Sequence, residues 1–294
     1  MHRISRRHFV ALASAGAAAP FALPRAAFAA PVTAQEIVER IKKSIGAEWK
    51  TDTVDGFKAG DPSTIATAVV TTALATIDVL EQAVRARANL VITCEPTFYS
   101  RADTPAPPKG GPDPVFAAKA ELIASNNLVV WRFSDHWKLR KPDPFASGLV
   151  DALGWSKFRD PDDDARVSIP GMRLDALAAA VGKALDTRGG MRVIGNPQTR
   201  VQTIAVLPGV TPIQASLRTL PGADAIVAGE VREWESVEYV RDTVTEGGRK
   251  GLILVGRIVS EEPGMKACAR WLGRIVPELT TTWIPAGDPY WRPR

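Results

Sequence analysis

The sequence predicts an α/β protein of two lobes, with helices packed on mixed sheets. Three observations carry this. Apolar runs such as NLVIT, LVVWRF, AIVAG and LILV alternate with amphipathic helical patterns along the whole chain. A charged turn, Arg159 to Arg166, interrupts the alternation near its middle. The roughly 265 residues beyond position 29 are enough for two modest cores. The expected lobes are therefore residues 30–160 and 161–294.

Ahead of them, MHRISRRHFVALASAGAAAPFALPRAAFAA has a basic start, an uncharged Ala-rich stretch and a small-residue exit at Ala27-Phe28-Ala29, the pattern of a secretory signal over residues 1–29. The paired Arg6 and Arg7, flanked by Ser5 and Phe9, resemble a twin-arginine export signal; the alternative is an ordinary basic start to a general secretory signal. Cleavage after Ala29 takes away four arginines and no acids, lowering the formal charge from +5 to +1. The high pI thus implies neither a nucleic acid nor an anionic membrane partner. No other uncharged stretch is long enough to span a bilayer. The expected location is the periplasm or the cell exterior, where Cys94 and Cys268, the only two cysteines, are able to pair; their spacing does not decide whether they do.

Thr33-Ala34-Gln35-Glu36 is a capping box, and Ile37, Val38, Ile41 and Ile45 follow at helical spacing. A strand over Ile65 to Thr72, a helix marked by Ile77, Leu80 and Val84, and a strand over Asn89 to Thr93 make a β-α-β unit. Five prolines between Ala102 and Pro114 predict a loop. A helix over Phe116 to Ala124 and a strand over Leu128 to Phe133 follow, then helices over Phe145 to Leu153 and Leu174 to Leu185. In the second half the spacing predicts strands at Val201–Val206, Ala225–Ala228 and Leu252–Val255. Helices fall at Pro212–Leu220, Glu235–Val244 and Met265–Val276. The tail TTWIPAGDPYWRPR reads as an edge strand and a packed end. Gly189-Gly190 and Gly247-Gly248 read as helix terminators, and neither a Walker loop nor G-x-G-x-x-G is present. Trp131, Trp137, Trp234, Trp283 and Trp291 are expected in the core or at subunit contacts.

The strands end in polar chemistry: Cys94-Glu95 after NLVIT, Ser134-Asp135-His136 after VVWRF, Glu230 after AIVAG, and Arg257 with Ser260-Glu261-Glu262 after LILVG. Ligand crevices of α/β sheets lie beyond the carboxyl ends of strands, so these groups are candidates for one cleft; the alternative is that each caps a helix or faces water. His136 is a candidate base or a histidine bonded to backbone, and Cys94 a candidate nucleophile or an inert buried thiol.

TVDGFKAGDP, NLVITCEPTFYS, VVWRFSDHWK, GADAIVAGEVREWE and GLILVGRIVSEEPGM, in this order, resemble the NGG-one-interacting-factor-three-like family of dinuclear metal-centre hexameric proteins. The resemblance implies two α/β lobes, a ring-shaped homohexamer and a metal site at the strand ends, mapping onto Cys94, Glu95, the Ser134 to Lys138 segment, Arg257 and Glu261; a residual single-ion site would use Cys94, Glu95, His136 and Glu261 around zinc. One functional reading is a metal-dependent hydrolase, favoured by the surviving carboxylates Glu95 and Glu261. The chain departs from the pattern where it reads Cys94-Glu95-Pro96 for a histidine-bearing motif and Gly256-Arg257 for Gly-His. Of three histidines, His2 and His8 lie in the expected signal, leaving His136 alone. Lys138 and Arg257 are cations with donors only and repel a divalent ion. They suit the other reading, a degenerate site in a binding or scaffold protein that captures a small anion.

Overall fold

The structure, a computed structural model, describes residues 31–104, 106–107, 111–187, 190–291 and 293. The expected signal and Gly189 lie outside the described residues. Helix α1 (Ala34–Ser44) starts at the anticipated capping box: the Thr33 hydroxyl accepts from the Glu36 N–H and the Glu36 carboxylate accepts from the Thr33 N–H. Its buried face is Ile37, Val38 and Ile41, the residues at helical spacing.

The first half continues through β1 (Gly56–Ala59), β2 (Val69–Thr72), α2 (Ile77–Arg85), β3 (Leu90–Thr93), α3 (Pro114–Ser125), β4 (Val129–Arg132), α4 (Asp135–Lys138) and α5 (Pro144–Ala152). The second half holds β5 (Arg166–Arg173), α6 (Leu174–Leu185), β6 (Arg192–Ile194), β7 (Arg200–Val210) and α7 (Ile213–Thr219). It ends with β8 (Ala225–Glu230), α8 (Glu238–Thr245), β9 (Gly251–Leu254), α9 (Arg257–Ile275) and β10 (Thr281–Trp283).

Two mixed five-stranded sheets form, ordered β1-β4-β3-β2-β10 and β5-β7-β8-β9-β6. In each, the central strands are parallel and read as continuous apolar runs, because helices cover both faces. The flanking strands β1, β5 and β6 are antiparallel. None of these three was expected. Gly56–Ala59 and Arg192–Ile194 are short and half-exposed, and Arg166–Arg173 contains Pro170 and Gly171, so no apolar run marks them.

Strand β10 returns from the C-terminal end to pair in parallel with β2 at an edge of the first sheet, as the tail predicted. Helix α9 leads there from β9 of the second sheet and ties the layers together. Thr71 of β2 donates to the Met265 carbonyl at 2.8 Å, and Trp137 Nε1 donates to the Gly264 carbonyl at 3.3 Å. The sequence places the start of this helix at Met265, yet it begins at Arg257 and runs through Pro263. Ser-Glu-Glu-Pro-Gly reads as a turn by propensity, but burial of Ser260, Glu261, Glu262, Gly264 and Met265 holds it helical.

The core of the first sheet is built on Leu90, Ile92, Val129, Trp131 and Phe133, and that of the second on Ile204, Val206, Val227 and Ile253. Trp131 and Trp137 are buried as anticipated, whereas Trp234 and Trp291 are exposed. Gly247 and Gly248 close α8, their N–H groups donating to the Val244 and Thr243 carbonyls. No helix among the described residues is long and apolar enough to cross a membrane.

Candidate functional site

Two elements position the site. Beyond β3 the chain turns at Cys94-Glu95, with the Glu95 N–H donating to the Ala73 carbonyl at 3.0 Å and Arg132 Nε donating to the Cys94 carbonyl at 3.1 Å. Opposite, Arg257 opens α9 and Glu261 lies four residues on, one helical turn, so both project from one face toward Glu95. The adjacent Glu262 points elsewhere, accepting from Trp283 Nε1 at 2.8 Å and from the Ala286 N–H at 2.6 Å. The capping role open to Glu261 and Glu262 is thus overturned: helix α9 starts a turn earlier, and both carboxyls are buried.

Arg257 Nη2 lies 2.5 Å from Glu95 Oε2. Cys94 Sγ and one oxygen each of Glu95 and Glu261 lie within 4.8 Å of one another. The three side chains are 0 %, 4 % and 7 % exposed. Burial raises the Glu95 carboxyl, with the Arg257 charge opposing. Burial and then the Glu95 charge push Glu261 well above the ordinary glutamate range, with Arg257 and Lys138 opposing. The two carboxyls share one buried site, and of the pair Glu261 is raised the more.

Burial and the charges of Glu261 and Glu95 push the Cys94 thiol far up; Arg257 opposes them least. Of the two readings of Cys94, its full burial favours the inert thiol. Its Sγ donates to the Ala73 carbonyl at 3.3 Å. Cys94 and Cys268 are both free and buried.

Residues at the end of β7 and in α9 lie beside Glu261. A Cβ on Gly209 would meet Glu261 Oε1 at 2.6 Å, and Gly209 has φ +75°. The Ser260 hydroxyl accepts from the Gly209 N–H at 2.9 Å and donates to the Arg257 carbonyl. Ser260 is among the polar residues noted after LILVG, whereas Gly209 was not singled out; a glycine just beyond an apolar run was its one available signal.

His136 does not join the cluster. Its Nε2 accepts from the Lys50 N–H at 2.8 Å, which places the ring proton on Nδ1, donated to Asp55 Oδ2 at 2.8 Å. Trp49 stacks on the ring at 3.7 Å between centroids. Both nitrogens are engaged with protein, so the expected ligand is a satisfied core histidine. Lys138 is exposed, and its charge reaches Glu261. Glu230, also exposed, acts on Arg257. Arg132 lies 4.0 Å from Asp103 Oδ2 through its buried Nη1, and neither atom has a hydrogen-bond partner among the described residues.

A dinuclear metal centre does not fit these residues. Among the described residues three donor atoms meet at the strand ends where two ions need more, and a guanidinium already pairs with Glu95.

The architecture, two mixed five-stranded sheets with helices packed against them, is one found in solved structures. The Bacillus cereus protein related to NIF3 is similar with TM-score 0.69 and 14% identity, over 90% of this chain and 100% of that one. The Staphylococcus aureus hypothetical protein SA1388 is similar with TM-score 0.68 and 13% identity, again over 90% and 100%. Protein ybgI, described as of unknown function, gives 0.67 and 19%, over 88% and 100%. The chain therefore has the fold of NIF3-related proteins. No protein-family model and no curated protein matches the sequence.

Proposed function

We propose that this chain is an exported binding or scaffold protein of the NIF3-like fold, one that self-associates as the resemblance implies, with a ring-shaped homohexamer as the expected form. Its cleft has exchanged metals for fixed cations and captures a small anion. The observation that carries this reading is the 2.5 Å contact between Arg257 Nη2 and Glu95 Oε2. Arg257 is half-buried against Glu95, Arg132 is buried 4.0 Å from the buried Asp103, and Lys138 and Glu230 add an exposed cation and an exposed anion nearby. Arg257 is about one-third exposed, and its Nε has no hydrogen-bond partner among the described residues. Donors remain for a phosphate or carboxylate.

A single-ion hydrolase is the second reading. The proximity of Cys94, Glu95 and Glu261 favours it, as does Glu261 Oε2, buried without a partner among the described residues. These three side chains would hold the ion, zinc by donor type, which would supply an activated water; His136 is engaged elsewhere. Metal analysis after zinc loading, with thermal-shift titrations of zinc and of phosphate, separates the two readings. Stabilisation by phosphate with no retained zinc is the expected result. One tightly held zinc per chain overturns it in favour of the hydrolase.

A further inference from the structure

A second buried cation lies apart from the Glu95–Glu261 cleft. Lys119, on α3, is 1 % exposed, and its Nζ donates to the Thr97 carbonyl at 2.6 Å. The Tyr99 ring covers the same nitrogen, 4.8 Å from Nζ to the ring centroid. Tyr99 has φ 56°, a left-handed conformation uncommon for a bulky side chain. The loop thus accepts local strain at the residue whose ring covers the amine. Burial lowers the amine to about 8, with the charge of Asp103 opposing, so near neutral pH it is free base far more often than an exposed lysine.

Lys119 also borders a cavity of about 350 Å³, together with Leu74, Thr76, Asp78, Thr97 and Tyr99. Thr97 is fully buried, and its hydroxyl has no hydrogen-bond partner among the described residues. A buried hydroxyl left unsatisfied costs about 1–3 kcal/mol, and a ligand oxygen in the cavity would satisfy it. A lysine serving only to hold the Thr97 carbonyl needs neither the cavity nor the orphan hydroxyl.

We propose that Lys119 is an amine nucleophile that captures a small aldehyde or ketone as an imine in this cavity, with the Thr97 hydroxyl donating to the carbonyl oxygen. The Nζ lone pair attacks the carbonyl carbon, forming the C–N bond as the π pair moves to oxygen. That oxygen takes a proton from the nitrogen to give a carbinolamine. The hydroxyl then leaves with the remaining N–H proton as water, and the C=N bond forms. The site is independent of the reading given above for the Glu95–Glu261 cleft.

The test uses the full chain with propionaldehyde and sodium cyanoborohydride near neutral pH, which delivers hydride to any imine and fixes it as a secondary amine. Peptide mass mapping then reads the label at each lysine. Lys119 is expected to carry at least about tenfold more label than exposed lysines such as Lys43 and Lys157, since its free-base fraction is on the order of a hundredfold larger and its burial slows access. Thr97→Val, close in shape, is expected to lower the Lys119 label several-fold and leave that of the exposed lysines unchanged. Labelling of Lys119 at or below the level of exposed lysines, in folded wild-type protein, overturns the proposal; equal labelling in Thr97→Val removes Thr97 from it.

Discussion

Arg257, at the first turn of α9, and Glu95, just beyond β3, meet at 2.5 Å, so a single ion pair joins the start of the connecting helix to the end of a first-sheet strand. The two partners are unequally buried, at 34 % and 5 % side-chain exposure. Removing the arginine leaves a buried carboxylate uncompensated, and the energy is set by that carboxylate more than by the attraction lost. Arg257→Met is expected to cost about 1–3 kcal/mol in urea unfolding near neutral pH, the lower end reflecting solvent access to the guanidinium. Because Glu95 then takes up a proton instead, the loss should shrink in acid. An unfolding midpoint unchanged from wild type would show the pair to be energetically idle.

The raised Glu261 carboxyl makes stability depend on pH in a direction opposite to that of a salt-bridged carboxylate. A carboxyl whose folded value is raised binds its proton more tightly folded than unfolded. Its contribution is present below the ordinary glutamate range and is lost as pH rises through the raised folded value. Glu95, Glu262 and Asp143 are raised by burial as well and add to the same trend. Glu261→Gln keeps a neutral group in place and removes one such contribution. The stability of wild type relative to this variant should fall as pH is raised from about 5 toward 8, a span set by the unfolded glutamate value. A difference independent of pH across that span would mean that Glu261 is ionised in the fold.

Much of this was legible in the sequence because the signals were local. NLVIT, AIVAG and LILV are apolar, β-rich and bounded by turn residues, and they became β3, β8 and β9. Arg257 and Glu261 stand four apart, and once α9 is known to start at Arg257 their convergence on Glu95 follows. Pro263 hid that start. What the sequence could not supply was long-range pairing. Asp55 and Lys50 claim both nitrogens of His136 from more than 80 positions away, and nothing at His136 itself announces this. The same holds for Gly209, whose missing side chain makes room for Glu261.

His136 is therefore expected to matter for folding and not for ion retention. His136→Gln keeps part of the volume but loses the stacking on Trp49 and at least one of the two hydrogen bonds, leaving Asp55 or the Lys50 N–H unsatisfied. The expected cost is about 2–4 kcal/mol in urea unfolding, from buried polar groups left without partners. Zinc uptake measured on the folded variant should equal that of wild type. A variant of normal stability with altered zinc uptake would return His136 to the site.

Gly209 offers a way to disturb the carboxyl pair without touching either carboxyl. An added Cβ would stand 2.6 Å from Glu261 Oε1, at a backbone with φ +75°. Gly209→Ala therefore combines left-handed strain with displacement of a buried carboxyl. Gly247 separates the two effects, for it has φ +88° and a Cβ added there would meet nothing within 4 Å. Gly247→Ala is expected to cost about 1 kcal/mol, the backbone contribution alone. Gly209→Ala should cost about 1–2 kcal/mol more, and it should also weaken the pH dependence assigned to Glu261, since a carboxyl driven from its pocket regains water. Urea unfolding of both variants across the pH range gives the comparison. Equal losses, with the pH dependence intact, would show that Glu261 is not held against Gly209.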